Sequence, residues 1–353
     1  MNDILYNNSI EQQPVIGVTM GDPVGIGAEI IIKALAEPEI RKAAKFIIFG
    51  MNEQLLIAAD RSEIEPFWGR CQHEKLSRDY PYKVVVADYD EYSVPPWIKE
   101  PSKLAGQASA EFCLDAIDAA KREIIDAVVT APINKTSWKL AGVKWPGHTE
   151  MFAEKTKARR KAMMFVCDKL KVALATIHEA LFEVRHKFTI GCVFDPIDLL
   201  NDALKEYFGV EKPRIGVAAL NPHAGENGRF GDEEIRIITP AVTLAQYQGI
   251  DCYGPFPADS LFLRAVKGEF DGVVAMYHDQ AMIPVKLLAF DTAVNITIGL
   301  PIIRTSPAHG TAFDITGKNI ANPTSMKEAI KTAIRMAISK KAAGLDKVKT
   351  NAK

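Results

Sequence analysis

Short, near-continuous apolar runs, each long enough for one strand and most ending in a polar or glycine-bearing turn, constrain this chain more than any other feature. They are Val15–Met20, Lys45–Gly50, Lys83–Ala87, Asp126–Ala131, Ala162–Cys167, Val172–Ile177, Arg214–Leu220 and Gly272–Met276, and a further strand, Val294–Ile298, carries Asn295. Runs without polar alternation are what strands buried on both faces require. Helical segments at Ala28–Leu35, Gly106–Glu123, Met151–Lys157 and Pro196–Phe208 separate them. Strands alternating with helices predict an α/β fold with mainly parallel strands. A chain of 353 residues exceeds the size at which one core usually stops growing, so one large unit or two lobes with a cleft is expected. Arg61–Tyr82 reads as irregular, Ser93–Ser102 as a proline-rich surface connection, the leader through Gln13 as disordered, and Lys340–Lys353 as a fraying helix tail.

Composition excludes several classes of function. Lys plus Arg number 43 against 44 Asp plus Glu, and a net charge of −1 gives no electrostatic case for a nucleic-acid partner. No apolar run approaches the roughly 20 residues needed to span a bilayer, and the start, MNDILYNNSIEQQ, lacks the basic and apolar regions of a secretory leader. A cytoplasmic location and no membrane partner are therefore expected. The cysteines, at 71, 113, 167, 192 and 252, form no C-x-x-C pair and read as reduced core residues.

Polar residues gather where the strands end, which is where open α/β sheets bind ligands. The first strand runs into G-D-P-V-G-I-G, residues 21–27, whose glycines suit either a tight strand-to-helix turn or a ligand loop; the spacing is not that of the dinucleotide fingerprint G-x-G-x-x-G. W-P-G-H-T-E, residues 145–150, offers His148, with Thr149 as a candidate helix cap. Lys286, Asn295 and Arg304 join His278 in the stretch Asp271–Asn322, a set of donors and cations suited to a phosphorylated or carboxylated small molecule. His178, His223 and His278 each stand at or just beyond a strand end. One such histidine is ordinarily a hydrogen-bonded structural residue; three are a candidate site for Zn²⁺ or a similar cation, with positions left open for substrate.

Six separated motifs, G-D-P-V-G-I-G-A-E-I, P-G-H-T-E, N-P-H-A-G-E-N-G, A-M-Y-H-D-Q, V-N-I-T-I-G-L-P and R-T-S-P-A-H-G-T-A, together resemble the 4-hydroxythreonine-4-phosphate dehydrogenase family of pyridoxal phosphate biosynthesis, from about Val15 to beyond Met326. The resemblance implies a two-lobed, three-layer α/β/α fold similar to isocitrate and isopropylmalate dehydrogenases, with the active site in the interlobe cleft. A terminal lobe of residues 14–145 plus 300–353 and a central lobe of 146–299, carrying the metal ligands and the dimer interface, are expected. It implies a homodimer that shares the metal site between subunits. His178, His223 and His278 fall on the family's divalent-metal ligands, for zinc, magnesium or cobalt. His148, Thr149, Lys286, Asn295 and Arg304 fall on its substrate-binding positions. The segment 309–322 is similar to that with which isopropylmalate dehydrogenases hold adenosine, so His309, Asp314, Ile315 and Asn322 would line an NAD or NADP site, an acidic Asp314 favouring NAD.

The implied reaction is oxidation of 4-(phosphooxy)-L-threonine to a β-keto acid that decarboxylates to 3-amino-2-oxopropyl phosphate, with Asp259 or Asp279 as general base. Around His178 the chain reads A-T-I-H-E-A-L-F-E-V, where a second Thr before the histidine and L-P-L after it are the expected pattern. That departure keeps open the related oxidation of D-threonate or D-erythronate 4-phosphate. A non-catalytic phosphate-ligand-binding protein and a phosphotransacylase-like enzyme are the alternatives from other classes.

Overall fold

The computed structural model describes residues 13–95 and 98–351, the last eight as backbone only. The leader up to residue 12, Pro96 in the proline-rich connection, and residues 352–353 lie outside the described residues. Twelve strands are described: β1 (Val15–Thr19), β2 (Lys45–Gly50), β3 (Gly69–Gln72), β4 (Val84–Asp88), β5 (Ala127–Thr130), β6 (Ala162–Cys167), β7 (Leu170–Leu174), β8 (Ile215–Ala218), β9 (Cys252–Phe256), β10 (Gly272–Ala275), β11 (Val294–Ile298) and β12 (Ile303–Pro307). They alternate with helices, so the fold is α/β. No described helix is long and apolar enough to cross a membrane.

The chain forms two compact units, one of Met1–Ala158 with Leu300–Ile338 and one of Arg159–Gly299 with Ser339–Lys353. The segment 146–158, assigned from sequence to the central lobe, packs within the first unit. There the helix His148–Thr156 buries Met151 and Phe152 and meets the helix Lys103–Lys121.

Strands of the first unit run in the order β3-β4-β2-β1-β5-β12, every pair parallel. All residues of β1, β4, β5 and β12 are buried. Burial of each large aliphatic side chain on such strands stabilises by about 1.5–3 kcal/mol. The chain reverses its direction of growth at β1, which pairs with β2 on one side and β5 on the other. A crevice outside the strand ends follows from that reversal.

The second unit has the order β11-β6-β7-β10-β8-β9. Here β7, β10, β8 and β9 are parallel, whereas β6 is antiparallel to both β7 and β11. The departure from parallel pairing has a local cause: only Asp168 and Lys169 separate β6 from β7, and a link that short makes a hairpin, not a crossover.

Three strands escaped the apolar pattern. Edge strand β3 lies in the stretch read as irregular; its residues alternate in exposure, and Arg70 is ion-paired to Asp88 and Asp90. Strand β9 carries Gly254 and Pro255, and β12 is rich in polar residues that find partners inside the fold. Helix boundaries moved as well. The helix expected from Pro196 begins at Ile190, where Thr189 caps the amide of Cys192 at 3.2 Å, and Pro196 lies inside it. The helix His278–Ala289, absent from the sequence reading, contains Pro284. Gln13 is ordered and bonded to the carbonyl of Lys42 at 2.6 Å. The final helix, Thr324–Asn351, runs on through the tail expected to fray, with Ser339 bonded to the carbonyl of Glu206 at 3.0 Å. Cys113, Cys167 and Cys252 are buried, while Cys71 and Cys192 are only partly so; none is in a disulfide.

Close approach fixes glycine at Gly106, where a Cβ would stand 2.0 Å from the carbonyl oxygen of Ser137. This contact joins the helix Lys103–Lys121 to Lys135–Leu140. Ala is the better helix former by about 1 kcal/mol, yet Gly106→Ala should destabilise by about 1–3 kcal/mol because backbone must move. Gly191→Ala, at an exposed position whose Cβ would meet only the Thr189 hydroxyl at 3.9 Å, should be neutral or stabilising. Denaturant unfolding of both variants checks this, and an equally tolerated Gly106→Ala would contradict it.

Candidate functional site

Parallel pairing in the second unit brings three candidate ligands to strand carboxyl ends. Leu174 lies beside Ala275, and Val274 beside Val217, so β7, β10 and β8 finish near one level. His178 follows β7 by four residues, His278 follows β10 by three and His223 follows β8 by five. The imidazoles of His178 and His278 stand with ring centroids 5.9 Å apart and planes tilted by 40°. His223 lies against Phe230 at 6.2 Å, and no group of three His, Cys, Asp or Glu side chains arranged to hold a metal forms among the described residues.

The strand ends beneath the histidines are fixed by side chains. The Thr176 hydroxyl donates to the carbonyl of Met276 at 2.7 Å, extending the β7–β10 ladder. Gln280 is buried and bonded at both ends: Oε1 accepts from the amide of Met276 at 2.7 Å, and Nε2 donates to the carbonyl of Ala219 at 2.8 Å. His278 opens its helix, and its Nδ1 is 2.7 Å from Asp279 Oδ1. A proton on Nδ1 shared with that carboxylate leaves Nε2 as the ligating nitrogen.

His223 sits in an unusual backbone. Residues 223–227 all adopt left-handed conformations, with φ between 42° and 75°. Non-glycine residues there are strained, by about 1–2 kcal/mol each. Glu234 Oε1 accepts the amides of Leu220 and Asn221 at 2.8 and 2.7 Å, while the Asn221 amide group donates to Glu233 and Glu234 at 2.7 and 3.0 Å. Both glutamates are buried. A Cβ at Gly225 would lie 2.7 Å from Glu234 Oε2, so a side chain there would displace the clamp.

In the first unit the crevice at β1 and β5 holds the other set. Thr19 on β1 pairs with Thr130 on β5, and Arg304 lies on the adjacent β12. Arg304 is buried, donating from Nε and Nη2 to Thr130 Oγ1 at 3.2 and 2.7 Å, with its guanidinium 5.9 Å from the Phe152 ring. Burial lowers its pKa to about 10, with the Cys113 thiol and the Glu150 carboxylate opposing; it stays charged at neutral pH. His148 is half-buried, its Nε2 enclosed with no hydrogen-bond partner, and its ring packs edge-on against Trp138 at 5.7 Å. Burial, then the charges of Arg304 and Lys135, hold its pKa well below the ordinary value, so it is neutral. An unpartnered buried nitrogen beside a buried cation is a place for an anionic or hydroxylated ligand. Thr149 is buried within the first turn and is not the cap; that position belongs to Gly147.

Other candidates fall elsewhere. Asn295 is on β11 of the second unit, its Oδ1 buried without a partner, and Lys286 is exposed with its ammonium 5.5 Å from the Phe290 ring. Asp259 is exposed in the first turn of the helix Ala258–Val266. His309, Asp314 and Asn322 are exposed and Ile315 is half-buried, in a segment folded over the 21–27 turn. That segment is tied there by Ile26 to Thr311 at 3.1 Å and by Ala321 to Glu29 at 2.8 Å. Asn322 Oδ1 accepts the Thr324 amide, at the start of the final helix, at 3.0 Å. Within the turn, Gly21 has φ +73°, and a Cβ at Gly27 would meet the carbonyl of Met20 at 1.9 Å, so both glycines are demanded by packing. Sequence reasoning assigned no role to Thr176, Gln280, Glu233, Glu234 or Thr130. Only the position of Gln280 in Y-H-D-Q hinted at one.

Comparison with known proteins gives the family. The sequence matches the family described as pyridoxal phosphate biosynthetic protein PdxA over residues 42–333. It is 42% identical to the 4-hydroxythreonine-4-phosphate dehydrogenase of Desulforapulum autotrophicum over 92% of this chain and 95% of that one. It is 44% identical to the D-threonate 4-phosphate dehydrogenase of Salmonella typhimurium over 91% and 98%. The crystal structure of 4-hydroxythreonine-4-phosphate dehydrogenase from Klebsiella pneumoniae superposes with a TM-score of 0.81 at 38% identity, covering 92% of this chain and all of that one. A match over most of the chain, with relatives at this identity, means that the chain belongs to the pyridoxal phosphate biosynthetic protein PdxA family of dehydrogenases.

Proposed function

We propose that the chain oxidises 4-(phosphooxy)-L-threonine with NAD or NADP, as a cytoplasmic homodimer, to a β-keto acid that loses carbon dioxide and leaves 3-amino-2-oxopropyl phosphate. The observation that carries the reading is the pairing of His178 with His278 at adjacent parallel strand ends. Two imidazoles at 5.9 Å suit a borderline divalent cation such as zinc or cobalt, and the bond of His278 to Asp279 orients one of them for it. A cation bound there supplies Lewis acidity, which lowers the pKa of a substrate hydroxyl and stabilises the enolate left by decarboxylation.

The chain's own residues do the rest. Arg304, desolvated and fixed on Thr130, would pair with the phosphate or carboxylate, and neutral His148 would donate or accept through Nε2. Lys286, Asn295 and Thr149 are the further substrate contacts we assign. A bound nicotinamide would supply the acceptor for the carbinol hydrogen as hydride, and the hydroxyl proton would pass to a base. Asp279 already engages His278, so Asp259 is the assignment for that base. Asp314, with His309, Ile315 and Asn322, would contact the adenosine end, its carboxylate favouring NAD.

Since His223 joins no three-ligand group among the described residues, we assign it to the site of a second copy. An apolar row of exposed side chains, Ile283, Leu287 and Phe290, on and just beyond the His278 helix supports association at this face. A mixture of inactive His178→Ala and His223→Ala chains should then recover activity, because one site in each hybrid dimer has all its ligands. Absence of recovery after demonstrated subunit exchange would contradict a shared site.

A second reading, oxidation of D-threonate 4-phosphate, is supported by the relative of that name at 44% identity. Steady-state kinetics on both substrates should show NADH formation that a chelator abolishes, which a mere binding protein would not give, and kcat/KM should favour the amino substrate. A hundredfold preference for the threonate, about 2.7 kcal/mol in transition-state binding, would reverse the assignment.

A further inference from the structure

The left-handed turn at 223–227 and the start of the helix at His278 belong to segments that follow different strands, yet one side chain touches the backbone leading into both. Gln280 bonds to the amide of Met276, two residues before His278, and to the carbonyl of Ala219, four residues before His223. It is buried, and each end of its amide group is matched to the group it meets, an oxygen to an N–H and an NH₂ to a carbonyl. The Met276 carbonyl is in turn held by the amide and hydroxyl of Thr176, two residues before His178, at 3.2 and 2.7 Å. The end of β8 is also fixed from the other side by Glu234, through the amides of Leu220 and Asn221.

From this arrangement we infer that Gln280 is a positioning residue for the metal centre: it fixes the His278-bearing and His223-bearing strand ends in one frame, and thereby sets the affinity of the centre for a divalent cation. The inference rests on the metal reading proposed above and deepens it. The physical basis is that an amide held at both ends within a close-packed interior admits one spacing of its partners. If the link is cut, Met276 and Ala219 lose their shared reference, and two backbone groups in the interior are left to find other partners. Groups that orient metal ligands without touching the metal typically govern affinity by 10–100-fold.

The test is titration of the full-length, metal-free protein with Co²⁺, at a temperature well below the unfolding transition of every variant, followed by heat and by the visible spectrum of the bound ion. The variants are Gln280→Met, which keeps length without either hydrogen bond, Gln280→Glu, which retains an acceptor for Met276 but offers Ala219 no donor, and His278→Ala. Co²⁺ should bind the unaltered protein, should be lost from His278→Ala, and should bind both Gln280 variants at least about tenfold more weakly, with an altered spectrum. A role confined to stability would lower the unfolding temperature and leave affinity and spectrum of the folded protein unchanged. Wild-type affinity within twofold in Gln280→Met, or in Gln280→Glu should the first variant not fold, overturns the positioning role while the metal reading stands. Failure of the unaltered protein to bind, or equal binding by His278→Ala, overturns the metal reading and this inference with it.

Discussion

Parallel pairing is the constraint on which the rest depends. Strands that run the same way end on the same edge, and at that edge the ladder stops while backbone amides and carbonyls remain to be satisfied. In the second unit the remaining groups are met by side chains: Thr176 on Met276, Gln280 on Met276 and Ala219, Glu234 on Leu220 and Asn221. Each bond ties down a loop that carries a histidine. Closing the sheet's hydrogen-bond account and positioning candidate ligands are therefore one structural act.

The same logic, with a different outcome, holds in the first unit. The reversal of strand order between β1 and β5 opens a crevice at their ends, and β12 brings Arg304 beside it. A guanidinium that is fully buried loses hydration, which is why its pKa falls to about 10. It keeps its charge because that value still lies well above neutrality, it donates to Thr130, and it in turn helps to hold His148 neutral. A neutral imidazole with an open nitrogen beside a fixed cation can recognise an oxyanion and a hydroxyl together.

Legibility in the sequence followed burial. Strands β2 and β6 were bounded correctly from their apolar runs, because near-complete burial leaves a continuous signature, and β11 from its spaced Val294, Ile296 and Ile298. Edge strand β3 had none, since its residues alternate in exposure and Arg70 stands at the solvated edge, pairing with the exposed Asp90 as well as with the buried Asp88. Strand β12 was obscured by the polar groups that matter most, Arg304 and Thr305, whose partners Thr130 and Ala329 are remote in sequence. His178, His223 and His278 were recognisable as strand-end residues, and the six motifs pointed to the family. The left-handed turn was invisible because its determinant is tertiary: the acceptor for its leading amides, Glu234, lies 14 residues beyond Leu220. Gln280 was equally hidden, for its second partner lies 61 residues away.

The central claim is that strand-end imidazoles form a divalent-metal centre for dehydrogenation. Anomalous diffraction from crystals of the protein grown with Co²⁺, recorded on either side of the cobalt absorption edge, tests it most directly. The account predicts one strong peak per chain, bonded by His178 and His278 of one chain and by His223 of a second. A peak bound elsewhere, or none at these histidines at saturating Co²⁺, would contradict it.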